Sequence, residues 1–237
     1  MARSSTAKRL LVLALVALVA GCSTTPPPPS GECGQFGAYV DAFPTPVSDG
    51  TSVFDEVDDD ALLVPFGSGF SFPFYGVDYD GVYVNTNGGL TFGAGSPNYD
   101  IAATDVDSPG IAVFWGDLDA GEYAGETRAN QLRWRQSGAC FQVAYQAMQD
   151  NDTEAWSNSA TLTLHDTGKV VVEYGAVASE DILVGVFDGS HTDDRYPAVG
   201  ASFDMSENGT GVILFDAWGA GPDHAGELTN ATVTYLP

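Results

Sequence analysis

Residues 66–92 read FGSGFSFPFYGVDYDGVYVNTNGGLTF, and residues 111–121 read IAVFWGDLDAG. Phenylalanine occupies every second position from residue 70 to residue 74, and this period of two places the phenyl rings on one face of a strand. Pro73 lies within that strand and cannot donate a hydrogen bond to a neighbouring strand. The pattern therefore predicts an aromatic strand at a sheet edge or a bulge.

A hairpin is predicted directly after the aromatic strand. Residues 81–85 form a short strand that meets Thr-Asn-Gly-Gly at 86–89, and residues 90–92 continue the apolar alternation. Asn-Gly between two such stretches is a strong hairpin signal. Residues 111–115 are almost wholly apolar and predict a buried strand, after which Asp117 and Asp119 carry carboxylates to its rim.

These stretches, taken in this order, resemble the extracellular NIDO domain family. The resemblance rests on FPFYG at 72–76, VYVNTNGGLTF at 82–92 and IAVFWGDLD at 111–119, and it continues through CFQVAY at 140–145 and HDTGKVVVEY at 165–174 to VGV at 184–186. It implies an all-β extracellular module associated with adhesion. It implies no catalytic residues.

The N-terminus has the features of an export signal. Three basic residues, Arg3, Lys8 and Arg9, precede an apolar run over residues 10–20, which is too short to span a bilayer and has the length of a signal-peptide core. The run ends in LVAGC, which resembles a bacterial lipobox, so we predict that residues 1–21 are removed and that Cys22 is lipidated. Several acyl chains on one residue would attach the protein stably to a membrane. The alternative is an ordinary secretory signal whose cysteine joins a disulfide.

Residues 22–32 are predicted to be a linker, and residues 33–237 a single domain. STTPPPPS at 23–30 favours extended polyproline II geometry and would span about 25 Å. A tether is the favoured interpretation, with a proline-rich ligand motif as the alternative. Ser23 after Cys22 resembles the pattern that directs lipoproteins to the outer membrane of a Gram-negative cell, so we expect the protein in that membrane or at the cell surface.

The chain is strongly acidic, with a net charge of −24 that becomes −27 when the three basic residues of the signal are removed. This charge excludes nucleic acid as a partner. It also attracts cations, and either a saline habitat or calcium binding would explain it.

Two cysteines remain if Cys22 carries lipid. In an exported protein Cys33 and Cys140 are predicted to form a disulfide, which would stabilise the fold by about 4–5 kcal/mol in the loop-entropy model. A metal or catalytic role is disfavoured, because the pair lacks CxxC spacing and a histidine partner. The three histidines are interpreted as ordinary polar residues near turns and loops: His165, His191 and His224.

Acidic residues cluster at 55–60, 117–122 and 150–154. Their oxygens are ligands that calcium prefers, and Asp117, Asp119 and Glu122 are the candidate ligands, although the glycine and distal glutamate of an EF-hand are missing. Solvated loops are the alternative. The neighbouring arginines, Arg128, Arg133 and Arg135, are expected to pair with carboxylates on an outer sheet face.

The fold class predicted is all-β. Alternating stretches recur near residues 37–43, 61–66, 131–136, 140–148, 160–164, 169–174, 182–187, 211–215 and 231–236, and no segment keeps a helical period over three turns. Antiparallel sheets packed as a sandwich follow from this pattern. Trp156 and Trp218 fall outside the predicted strands, where they would form a carbohydrate platform or cover a sheet edge.

The function predicted is a lipid-anchored surface or envelope protein that binds an extracellular protein or glycan and has no catalytic activity. The sequence contains no nucleophile elbow, phosphate loop or dinucleotide motif. The alternative is a secreted glycan-active hydrolase that uses a carboxylate pair, because such a pair is defined by its spatial separation. A purely structural envelope component is a third possibility.

Overall fold

The structure is a computed structural model of the 237-residue chain. It describes residues 32–41, 59–99, 107–120, 122–123, 126–127, 132–151, 156–179, 182–190, 194–195, 202–204, 213–218 and 228–237. The predicted signal peptide, Cys22 and the linker through residue 31 lie outside these residues, as do His191 and His224. The side chains of Asp41, Glu122, Trp156 and Trp218 also lie outside the description.

One layer of the fold is an eight-stranded sheet. Its strands are, in spatial order, β1 (Val40–Asp41), β11 (Leu132–Ser137), β12 (Cys140–Asp150), β13 (Trp156–His165), β14 (Val170–Tyr174), β19 (Thr232–Leu236) and β17 (Ser202–Asp204), and β8 (Leu118–Asp119) pairs with the last two residues of β12. Neighbouring strands are antiparallel except β17, which runs parallel to β19.

The second layer is a seven-stranded sheet. Its order is β16 (Asp194–Arg195), β18 (Ile213–Trp218), β15 (Ile182–Phe187), β7 (Gly110–Trp115), β6 (Gly89–Thr91), β5 (Gly81–Asn85) and β2 (Ala61–Pro65), and the short β16 is parallel to β18. Two hairpins complete the described strands: β3 (Phe72–Phe74) with β4 (Val77–Tyr79), and β9 (Glu122–Tyr123) with β10 (Glu126–Thr127). The predicted all-β fold of antiparallel sheets is confirmed.

The aromatic strand contributes to the core as predicted. Phe70, Phe72 and Phe74 are all buried, and the rings of Phe72 and Phe74 lie 5.3 Å and 4.9 Å from that of Phe92. Pro73 occupies the middle of β3, in a two-stranded hairpin where its missing N–H leaves no ladder incomplete.

Two buried tyrosines join the layers. The Tyr145 hydroxyl on β12 donates to the Gly89 carbonyl oxygen at 2.7 Å, and the Tyr174 hydroxyl on β14 donates to the Val113 carbonyl oxygen at 2.6 Å. Burial raises the pKa of both phenols, because the ionised form would lose its hydration. The sheets are thus held together by polar contacts as well as by apolar packing.

The tryptophan prediction was wrong in one respect. Trp156 begins β13 and Trp218 ends β18, so both lie within strands. The β12–β13 ladder shifts register between Tyr145 and Met148, where Ala147 has a φ of 51°. It shifts again between Met148, which pairs with Asn158, and Gln149, which pairs with Trp156. These irregularities interrupt the alternation of apolar side chains near the start of β13, and the sequence pattern therefore did not include Trp156 in the strand.

Candidate binding rim at the asparagine-glycine turn

The Asn-Gly turn is buried, and its glycines are required by geometry. Gly88 has a φ of +80°, in the left-handed region that glycine favours. A Cβ atom on Gly89 would lie 2.3 Å from the ring of Trp115, which packs directly on the turn. The predicted hairpin is confirmed, with β5 paired to β6.

Asn87 connects three segments of the chain. Its Nδ2 donates to Asp59 Oδ1 at 2.7 Å and to the carbonyl oxygen of Asn98 at 3.4 Å. Its Oδ1 accepts a hydrogen bond from the backbone N–H of Leu118 at 3.0 Å. The side chain is fully buried, so the turn fixes the position of the loops around it.

The motif Asn85-Thr86-Asn87 contains two further buried side chains that hydrogen-bond to neighbouring segments. Asn85 Nδ2 donates to Thr91 Oγ1 at 3.3 Å, and its Oδ1 accepts from the Ser96 N–H at 3.2 Å. Thr86 Oγ1 donates to the Asp60 carbonyl oxygen at 3.1 Å and accepts from the Asp60 N–H at 2.9 Å. Because these side-chain groups are buried and hydrogen-bonded, they hold the turn and the loops around it in place.

Carboxylates from the three predicted acidic segments meet at this edge of the sandwich. Asn151 Nδ2 donates to Asp117 Oδ2 at 3.0 Å, and Asp117 directly precedes β8, which pairs with the end of β12. Asp59 reaches the same edge through Asn87. We call this edge the acidic rim, formed by Asp59, Asp60, Asp117, Asp119, Asp150 and Asn151.

An aromatic side chain extends beside the acidic rim. Tyr99 is 53% exposed. The residue before it, Asn98, is held by its carbonyl oxygen, which accepts a hydrogen bond from Trp115 Nε1 at 2.7 Å. The tyrosine ring is therefore presented to solvent from a backbone that is fixed on the sheet.

The candidate calcium ligands are only partly described. Asp117 is half-buried and Asp119 is 9% exposed, whereas Glu122 contributes its backbone to β9. Among the described side chains, the one group of three acidic, histidine or cysteine ligand atoms that lie within 4.8 Å of each other contains no carboxylate. Gln149, directly opposite Asp119, is fully buried, and among the residues that the structure describes neither its amide oxygen nor its amide nitrogen has a hydrogen-bond partner. Calcium binding stays a prediction, for which the rim offers suitable oxygens.

The predicted disulfide between Cys33 and Cys140 is present and attaches the N-terminal segment to the first residue of β12. The segment is held further by the guanidinium group of Arg135, which lies 4.0 Å from the centre of the Tyr39 ring and 4.6 Å from that of Phe36. Cation–π contacts of this kind stabilise a partly exposed segment.

The expected pairing of arginines with carboxylates is not found for Arg133 and Arg135 within the described side chains. Arg133 donates to the Gln146 side chain, and Arg135 Nε donates to Gln142 Oε1 at 2.6 Å. Both arginines lie on β11, whose partner strand presents these glutamine amides on the same face. Neutral acceptors and aromatic rings therefore take the place of the carboxylates. Arg128 lies outside the description.

The disulfide and the acidic rim lie at opposite ends of one strand. Cys140 is the first and Asp150 the last of the 11 residues of β12. At about 3.3 Å per residue these ends are about 33 Å apart. The chain thus enters the sandwich at one end, and its acidic rim and Tyr99 lie at the other.

A histidine partner for the cysteines was missed. His165 is the last residue of β13, directly opposite Cys140, and its Nδ1 lies 3.4 Å from Cys140 Sγ. The Asp-Thr-Gly sequence at 166–168 places His165 at the end of β13, but only the β12–β13 register brings it opposite Cys140, and alternation within one strand does not specify that register. Cys33, Cys140 and His165 have their ligand atoms within 4.8 Å of one another.

In the described part of the chain, no helix has the length and apolar character needed to cross a membrane. A search of curated proteins and a search of solved structures give no match. A family model described as "NIDO related" matches residues 35–210, which is well over half of the chain and lies within the predicted domain of residues 33–237. With the all-β fold and the buried Asn-Gly turn, this match confirms the resemblance seen in the sequence: the chain belongs to the NIDO-related family.

Proposed function

We propose that this protein is anchored by lipid on Cys22 to the outer membrane or cell surface, and that its acidic rim binds an extracellular protein or glycan without catalysing a reaction. Membership of the NIDO-related family supports an extracellular, adhesion-like role. The lipobox-like sequence at 18–22 supports the anchor.

The observation that carries this proposal is the separation of the two ends of β12. The predicted anchor and linker lead to Cys33, which is bonded to Cys140 at the start of the strand, while the acidic rim lies about 33 Å away. A domain held from the Cys33 end presents its rim away from the membrane. An adhesive surface requires this orientation.

The chemistry of the rim favours binding over catalysis. Asn85, Thr86 and Asn87 are fully buried and occupied by structural hydrogen bonds, so they are not available to a substrate. What the rim presents to solvent is carboxylate, amide and the Tyr99 ring. Such groups suit a polar ligand that carries basic groups or hydroxyls.

Fractionation of cells tests the anchor. In the wild type we expect the protein in the membrane fraction, and in Cys22→Ser we expect it in the soluble fraction, because no thiol remains for acylation. Mass spectrometry of the mature N-terminus provides the chemical check. An unmodified Cys22 within a longer mature chain would refute the lipid anchor.

Binding assays test the rim. The purified domain would be applied to glycan arrays, immobilised matrix proteins and envelope extracts, and Tyr99→Ala combined with Asp117→Asn is expected to reduce binding at least about tenfold. The control is Val77→Ala, which removes a side chain of similar exposure, 50% against 53% for Tyr99. Val77 is in the hairpin whose Pro73 lies beside Gly168, at the disulfide end of the sandwich. Equal loss in the control would place binding elsewhere, and release of sugars from the array would support the hydrolase alternative.

Calcium is the cation that we propose for the rim. Carboxylates gathered at one edge repel each other, and a bound divalent cation would relieve this repulsion, with the buried Gln149 amide oxygen as a further ligand. Free calcium at about 100 times its dissociation constant would add about 2.7 kcal/mol to the free energy of unfolding. Melting curves in calcium, in EDTA and in sodium chloride of equal ionic strength test this. The same melting temperature in calcium and sodium chloride would show that the rim is only a solvated surface.

A further inference from the structure

A second group of potential ligands lies at the end of the sandwich opposite the acidic rim. Cys33 comes from the N-terminal segment, Cys140 from the start of β12 and His165 from the end of β13, and their ligand atoms all lie within 4.8 Å of one another. Cys140 is buried, His165 is half-buried and Cys33 is exposed. Three neighbouring segments therefore bring two sulfurs and an imidazole nitrogen to one place.

The distances match those of a tetrahedral metal site. With zinc–sulfur distances of about 2.3 Å and zinc–nitrogen distances of about 2.0–2.1 Å, sulfur and nitrogen ligands lie about 3.6 Å apart and two sulfurs about 3.8 Å apart. Cys140 Sγ and His165 Nδ1 are already separated by 3.4 Å. Two of the three ligands are thus in place, and the third is covalently bonded to the first while the disulfide exists.

The backbone positions of Cys33, Cys140 and His165 are suited to a change from a disulfide to a metal site. Cys140 and His165 face each other in the β12–β13 ladder, and the His165 N–H donates to the Lys169 carbonyl oxygen at 2.9 Å, which fixes that end of the strand. Cys33 pairs with Gly138 through an isolated bridge and is exposed. Once the disulfide is broken, the Cys33 sulfur can move by the required distance without disturbing the sheet.

We propose that the reduced protein binds Zn²⁺ through Cys33, Cys140 and His165. A dithiol reductant supplies two electrons and two protons, becomes a disulfide itself and leaves two thiols on the protein. Zn²⁺ then displaces both thiol protons and binds two thiolates and the neutral His165 Nδ1. The fourth position is open to water on the side of the exposed Cys33. The strongly negative chain raises the local concentration of cations around the site.

This site would give the N-terminal segment two alternative attachments to the sheet. In the oxidised protein the disulfide holds the segment on β12, and in the reduced protein the metal holds the same two sulfurs and adds His165. A chain that meets zinc before it is oxidised would have its cysteines protected from other partners. This inference is independent of the rim and of its ligand.

Spectroscopy of the cobalt-substituted protein tests the site. Full-length Cys22→Ser protein, which carries no third thiol, would be reduced with a phosphine, freed of it under anaerobic conditions and titrated with Co²⁺. We expect thiolate-to-cobalt charge transfer and the intense visible bands of tetrahedral Co²⁺ at one equivalent, and we expect zinc to abolish them. The oxidised protein is expected to show neither band.

Variants identify the ligands. His165→Asn is expected to weaken metal binding at least about 100-fold, the upper end of what the loss of an outer partner costs. His224→Asn is the matched control and should bind as the parent does. Far-UV circular dichroism follows the fold. The proposal is overturned if reduced protein gives no thiolate band, if His165→Asn binds with the affinity of the parent, or if a chain that unfolds on reduction is not refolded by zinc.

Discussion

Raising the pH from about 9 to about 11 is expected to destabilise the domain steeply. Tyr145, Tyr174 and Tyr235 are each at most 5% exposed, and burial raises the pKa of all three phenols. For Tyr174 and Tyr235 the repulsion from a neighbouring tyrosine, Tyr235 and Tyr75 respectively, raises the pKa further. In the unfolded chain the same phenols have a pKa of about 10.

The sign and the size follow from proton linkage. Above about pH 10 the native state keeps protons that the unfolded state has released, so the free energy of unfolding falls as the pH rises. It falls by about 1.4 kcal/mol per pH unit for each tyrosine, until the pH passes the raised pKa of the native state. At about pH 11 these three tyrosines alone lower the free energy of unfolding by about 4 kcal/mol. This is a large part of the roughly 5–15 kcal/mol that is typical of a single domain. Below about pH 9 this stabilisation is fully present.

Urea unfolding followed by circular dichroism between about pH 8 and about pH 11 measures the effect. Tyr145→Phe should reduce the slope of the unfolding free energy against pH by about 1.4 kcal/mol per pH unit, because one linked proton is removed. Val77→Ala, which replaces an exposed side chain and removes no ionisable group, should leave the slope unchanged. An unfolding free energy that stays constant from about pH 9 to about pH 11, or an unchanged slope in Tyr145→Phe, would refute the reasoning.

Three further variants test the packing. Gly89→Ala should lower the unfolding free energy by about 1–3 kcal/mol, since its Cβ would lie 2.3 Å from a tryptophan ring, whereas Gly37→Ala, with nothing within 4 Å, should have no effect in the same urea titration. Asn87→Ala should cost about 1–3 kcal/mol in thermal unfolding, because it leaves a buried backbone N–H without its acceptor at 3.0 Å. The double variant Cys33→Ser, Cys140→Ser should have a free energy of unfolding about 4.8 kcal/mol lower, as the loop-entropy model gives for a separation of 107 residues. Reduced wild-type protein should unfold at the same urea midpoint if the cross-link alone is responsible.

Local patterns predicted the strands well where the alternation was unbroken. The predicted strands at 81–85 and 182–187 coincide with β5 and β15, because each is a short apolar stretch bounded by turn residues. Of the strand predicted at 37–43, residues 37–39 are not in a strand, Val40–Asp41 form β1, and residues 42–43 lie outside the described part of the chain. A disulfide and arginine–aromatic contacts hold much of the segment before β1 instead, and such long-range contacts leave no period in the sequence.

The spatial order of the strands in the two sheets does not follow from these local patterns. The last strand, β19, lies beside β14, and β8 joins the end of β12 after a long excursion of the chain. These pairings depend on which apolar faces cover each other in the sandwich, and alternation within one strand does not specify its neighbour. For the same reason the sequence predicted three acidic segments but not that they meet at one rim.

The buried Asn85-Thr86-Asn87 motif has a structural role that is separate from the proposed binding role of the acidic rim. Asn85, Thr86 and Asn87 have no exposed surface, and their side chains hydrogen-bond to residues of the neighbouring strands and loops: Asp59, Asp60, Gly89, Thr91 and Leu118. Residues that make the family resemblance recognisable therefore build the scaffold, because a turn with this hydrogen bonding must position the same loops around it. Tyr99 lies outside the stretches that carry the resemblance, whereas Asp117 lies near the end of one of them, and the backbone next to each residue is held by Asn87 or Trp115. Replacing Tyr99, which is exposed, would change the chemistry of the rim at little cost to the fold, so the proposed function assigns the choice of partner to the rim and a structural role to the Asn-Gly turn.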